Sequence, residues 1–188
     1  DYSVVKNTRF GISAYYTPST AKNSTKPSRM ERIKGAITIL SADAQYYSRD
    51  IIARANVIYG NLTESDLIYK ENLRNPTALG YSETPIAKDV LTYGAEAGYN
   101  IGAFFNHKFN LFPFVRYEYY NSMHKTASSI SADPRYKVDL ITAGLNYYIL
   151  PNLVAKADYT RRWIGGGHFN NESTISLGLA YIGWFFSK

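Results

Sequence analysis

Residues 174–186 read TISLGLAYIGWFF. In an extended chain Ile175, Leu177, Leu179 and Tyr181 fall on one side, and Ser176, Gly178 and Ala180 on the other. Side chains of a strand alternate with a period of two, so this segment has one apolar face and one small or polar face. An aromatic group, Trp184 to Phe186, closes it. A strand that crosses a lipid bilayer within a closed sheet needs that division. The segment therefore predicts β-structure that spans a membrane.

Seven earlier segments repeat the pattern. They are expected near residues 9–17, 35–48, 51–61, 90–104, 111–121, 136–149 and 153–163. In the third, Ile51, Ala53, Ala55, Val57 and Tyr59 oppose Arg54 and Asn56. In the fourth, Leu91, Tyr93, Ala95, Ala97 and Tyr99 oppose Thr92, Gly94, Glu96 and Gly98. The connections alternate in length. Those at Arg49, Asn106 and Pro151 are short; those beginning at Pro18, Leu62, Ser122 and Ile164 are longer. Short turns on one rim and long loops on the other mark the periplasmic and external sides of an outer-membrane barrel. The expected fold is all-β: an antiparallel transmembrane β-barrel with eight strands visible, covering residues 1–188.

Composition fits this expectation. The chain has 188 residues and no Cys, which excludes a disulfide framework and thiolate metal sites. Its mean hydropathy is −0.29, and no apolar run reaches the roughly 18 residues of a membrane helix. A barrel tolerates this because only alternate residues meet lipid. The 18 Tyr residues suit a half-wet interface, with an apolar ring and a polar tip. Tyr16, Tyr59, Tyr93, Tyr119 and Trp163 are expected near the long-loop rim. Tyr46, Phe104, Phe112, Tyr147 and Phe185 are expected near the short-turn rim. No signal peptide opens at Asp1, so a removed signal or a longer chain is expected of an exported barrel.

Eight charged residues of the strands share the face opposite the apolar one. Arg54, Asp43, Glu96, Arg116, Glu118, Lys156, Asp158 and Arg162 are expected to line a lumen, with Arg9 beside them. On a lipid face each charge would cost roughly 2–4 kcal/mol near the midplane. Such a wall either orients permeating solutes or fills a narrow barrel with paired ions. The net charge of +6 is concentrated most in the first long loop, at Lys22, Lys26, Arg29, Arg32 and Lys34. That loop is the expected place to attract anions. The cations lack a nucleic-acid motif.

Catalysis finds little footing. His107, His124 and His168 lie on different connections, and the last two could meet Asp133 only by folding of the loops. No ligand cluster suggests a metal or other cofactor. Gly165, Gly166 and Gly167 precede no Lys-Ser/Thr pair and so make no phosphate loop.

Three runs carry a family resemblance: Pro113 to Tyr120 (PFVRYEYY), Ile141 to Tyr148 (ITAGLNYY) and Pro151 to Tyr159 (PNLVAKADY). Together with Gly178 to Tyr181 they resemble the C-terminal part of porins of the phosphate-selective O/P type. The resemblance covers most of the chain and is strongest over residues 111–186. It implies a passive diffusion channel of about sixteen strands, of which this chain would be the C-terminal half. The lysine ladder that binds phosphate in specialised members has no counterpart here, so phosphate selectivity is not carried over. The expected location is the bacterial outer membrane. The expected partners are lipid bilayer, lipopolysaccharide, small polar or anionic solutes, and further copies or other outer-membrane proteins, but not nucleic acid. The alternative is a complete eight-stranded barrel that does not conduct and serves a structural, adhesion or accessory role. Side chains just fill an eight-stranded barrel, whereas sixteen strands leave water inside.

Overall fold

The computed structural model describes residues 6–20, 32–74 and 85–181. It contains eight strands: β1 (Thr8–Thr17), β2 (Ile37–Tyr47), β3 (Ile51–Leu62), β4 (Asp89–Tyr99), β5 (Asn110–Lys125), β6 (Lys137–Leu150), β7 (Leu153–Ile164) and β8 (Asn171–Tyr181). They form one antiparallel sheet in chain order. β1 and β8 are its edges, so the sheet is open. Val, Ile, Tyr, Phe and Thr supply many of the strand positions, as a pleated half-buried surface favours.

The register separates two faces along every strand. One transverse row runs Phe10, Ala44, Ala55, Ala95, Tyr117, Ile141, Arg161, Ser173. The parallel row beyond it runs Ile12, Ala42, Val57, Tyr93, Tyr119, Asp139, Trp163, Asn171. This is the apolar face, and it is also the open one: Ile12 is 89% exposed and Leu177 82%. Phe10 stands two residues from the start of β1, while Arg161 stands eight from the start of β7. The row thus climbs about six residues over the six spacings from β1 to β7. At about 3.4 Å per residue and 4.8 Å per spacing this is a tilt of about 35°, close to that of barrel strands.

The elements differ from the sequence reading in five places. First, β4 stops at Tyr99 and does not run on to Phe104. Ile101–Phe105 is a 3-10 turn instead. The cause is Asn100, 1% exposed. Its carbonyl oxygen accepts from the backbone N–H of Gly102 at 3.1 Å and of Leu111 at 3.2 Å. Its amide donates to Asn110 at 3.0 Å and Asp50 at 3.4 Å. One side chain thereby satisfies the orphaned groups of the turn and fastens it to the neighbouring turn. Asn106 and His107 follow with positive φ, 53° and 55°, and reverse the chain. Second, the β4–β5 connection is therefore longer than the one after β7, and the short-long rhythm holds less strictly than expected.

Third, β5 continues through Lys125. Fourth, the connection after β3 contains a helix, α1 (Ser65–Leu73). The Glu64 carboxylate accepts from the backbone N–H of Lys34 at 2.6 Å and Gly35 at 3.4 Å, joining the first two long connections. Ile33 is buried there against Ile68. Fifth, the last strand begins at Asn171 and not at Thr174. Phe112 lies at the short-turn rim as expected, but on the polar face, where it is 7% exposed and meets Tyr148 edge-on at 5.6 Å. It does not belong with Tyr46 and Tyr147 on the apolar face. Phe104 lies on the 3-10 turn, 5.5 Å from Tyr99. Trp184 and Phe185 lie outside the described residues. No helix among the described residues is long and apolar enough to cross a membrane.

Candidate functional site: a charged wall on the polar face

The polar face follows from the same period of two. One row runs Gln45, Arg54, Glu96, Arg116, Thr142, Thr160. The next runs Asp43, Asn56, Gly94, Glu118, Leu140, Arg162, Glu172. Lys156 and Asp158 share the face, opposite Asn146 and Gly144. All eight strand charges expected on one wall are therefore on one face of the sheet. Arg9, opposite Gln45, joins them.

Cross-strand pairing turns part of this wall into an ionic ladder. The Arg54 guanidinium reaches both Glu96 oxygens, at 2.8 and 3.0 Å. Arg116 lies on the other side of Glu96 at 3.7 Å, and its Nε is 3.1 Å from Glu118. Glu96 thus sits between two guanidinium groups, and Arg116 between two carboxylates. Opposite charges directly across a strand pair attract, which favours this register over its neighbours. Gly94 leaves space beside the ladder. The ladder, Asn56 and Gly94 surround a recess of about 270 Å³.

Further along, Arg162 pairs with Glu172. The sequence reading missed Glu172, because the last strand was expected to begin at Thr174. Glu172 brings the wall to five cations (Arg9, Arg54, Arg116, Lys156, Arg162) and five anions (Asp43, Glu96, Glu118, Asp158, Glu172). The wall therefore has strong local fields and no net charge. Asp43 has one buried carboxylate oxygen without a hydrogen-bond partner among the described residues. Thr142 and Thr160 hydrogen-bond across β6 and β7 at 2.8 Å. Beside them Phe114 lies over Gly144, where a Cβ would sit 2.6 Å from the ring.

Besides the charges expected on the polar face, five strand charges have the parity of the apolar face: Asp89, Lys125, Lys137, Asp139 and Arg161. Asp139 accepts from the Tyr117 hydroxyl at 2.6 Å. Arg161 lies over the Trp163 ring, 5.7 Å from its centroid. Both are close to the long-loop ends of their strands, where burial in an apolar medium is least demanding. The alternation of β7 itself carried this signal: Arg161 shares parity with Tyr159 and Trp163.

Of the loop cations, Arg32 and Lys34 are exposed beside the long-loop rim. Lys22, Lys26 and Arg29 lie outside the described residues. The three His residues are not brought together. His107 is 3.5 Å from Asp50 at the short-turn rim, and His168 packs edge-on against Phe169. Asp133 is held by Arg135 at 2.6 Å. These hydrogen bonds hold the Asp133 carboxyl below the usual aspartate range, with the side-chain bond from Arg135 the largest cause. Among the described residues no group of three or more His, Asp or Glu could hold a metal ion. In comparisons with known proteins, no family model, no curated protein and no solved structure matches the chain.

Proposed function

We propose that the chain is the strand-rich wall of an outer-membrane, porin-like channel for passive diffusion of small polar or anionic solutes. The observation that carries this reading is the division of the sheet. An exposed apolar face and a charged face alternate residue by residue through eight tilted strands. In water, so large an exposed apolar surface would drive association; in lipid it is the stable surface.

The open edges support the wider barrel over the eight-stranded alternative. A closed barrel has no strand edges, and β1 and β8 each keep one. Strands supplied beyond those edges would complete a lumen large enough for water. The alternative draws its support from the ladder itself, because paired ions can fill a narrow interior. The balanced wall implies weak selectivity along the strands. Preference for anions would come from the exposed Arg32 and Lys34 and the other cations of that loop.

Planar-bilayer recording of the full-length protein tests this. Discrete conductance steps are expected. Arg116→Gln with Lys156→Gln removes two wall cations and shifts the reversal potential towards cations. Inserted protein that never conducts eliminates the channel and leaves the filled barrel.

A further inference from the structure

Arg161 is exposed on the apolar face, three residues before the end of β7. That places it about 10 Å along the strand from the rim, at the level of an aromatic belt. Trp163 lies on one side, with its ring beneath the guanidinium. Tyr159 lies on the other, its hydroxyl bonded to Ser173 at 2.9 Å. Tyr93 and Tyr119, stacked at 4.8 Å, continue the belt across β4 and β5. Among the described residues no ion pair joins Arg161 to a carboxylate. The nearby Asp139 is bound to Tyr117. Lys137 adds a second exposed cation at the rim end of β6, with the parity of the apolar face.

Among the described residues the Arg161 guanidinium is met by the Trp163 ring and the Tyr159 hydroxyl and by no carboxylate, so the sheet itself does not neutralise its charge and an anion of the surrounding layer would. In the headgroup layer that anion is a phosphate, and guanidinium is the side chain best matched to it. We propose that Arg161, with Trp163, Tyr159 and Lys137 around it, binds the headgroup phosphate of an anionic lipid in the external leaflet. This rests on the membrane reading above, which sets the long-loop rim outward. The phosphate takes the guanidinium, the Trp163 and Tyr159 rings lie beside the upper acyl chain, and Lys137 adds attraction from above.

Trp163 reports on the site directly. The chain has two Trp residues, so Trp184→Phe leaves it as the single indole. Its fluorescence is read in vesicles of phosphatidylglycerol and phosphatidylcholine, with one or the other lipid brominated on its acyl chains. One favourable cation near the membrane surface corresponds to about a five-fold preference for the anionic lipid. That preference is expected to vanish in Arg161→Gln, persist in Arg161→Lys, and persist in Lys108→Gln at the opposite rim. Free inorganic phosphate should not compete. Equal quenching by both lipids, or a preference unchanged in Arg161→Gln, overturns the lipid site while leaving the membrane reading intact. No quenching by either lipid means that Trp163 does not face lipid, which overturns the membrane reading itself.

Discussion

Glu96 is the residue on which the charged wall turns. Its side chain is 10% exposed and lies between Arg54, at 2.8 Å, and Arg116, at 3.7 Å. Glu96→Gln keeps the shape and removes the charge. A hydrogen bond to a charged group contributes about 1.5–3 kcal/mol when well shielded. The Arg54 and Arg116 side chains are 50% and 37% exposed, so solvent screens the pairs. The expected loss of stability is therefore about 1–2 kcal/mol. Protein refolded in detergent and unfolded in guanidinium, followed by tryptophan fluorescence, would measure it. A double-mutant cycle with Arg54→Gln isolates the pair, and its expected coupling is about 1 kcal/mol. The same substitution makes the wall positive by one, so reversal potentials should move towards anions. Strict additivity of the two substitutions, with no change in selectivity, would refute the ladder as an interacting unit.

Three further outcomes are expected. Asn100→Ala should cost about 2–3 kcal/mol, because it orphans buried backbone N–H groups of the turn before β5; a loss near zero in the same unfolding assay would show that water replaces the side chain. Asp133 should brace the loop before β6 only when ionised. Its carboxyl is lowered in the folded loop, so the brace is complete above the ordinary aspartate value of about 3.9 and fails as pH falls through the lowered one. Exchange of the Arg135 amide, which donates to Asp133 at 2.9 Å, should quicken below that range, and Arg135→Gln should flatten the profile.

The sequence made the strands and their faces legible because a period of two is a strong signal when one face must be apolar. The eight wall charges were readable for the same reason. Four things were not. The end of β4 at Tyr99 depends on the hydrogen bonds of Asn100 to groups up to 50 residues away, while Ile101 to Phe104 continues a plausible alternation. Glu172 joined the wall only once its pairing with Arg162 set where β8 begins. Asp139 and Arg161 were overlooked because a lipid-facing charge looks costly until its height in the sheet is known. Helix α1 has weak amphipathicity and an uncapped start, so little in its sequence announced it.

The central claim is that one face of this sheet meets lipid and the other meets water. The chain has no Cys, so single cysteines placed along a strand take a label uniquely. The most direct measurement labels positions 175 to 180 of β8, one at a time, in protein reconstituted into vesicles. Each fluorophore is then challenged with a lipid-borne and a water-soluble quencher. The expected result is strict alternation: labels at Ile175, Leu177 and Leu179 quenched from lipid, and those at Ser176, Gly178 and Ala180 quenched from water. Uniform quenching from water along the strand would contradict it.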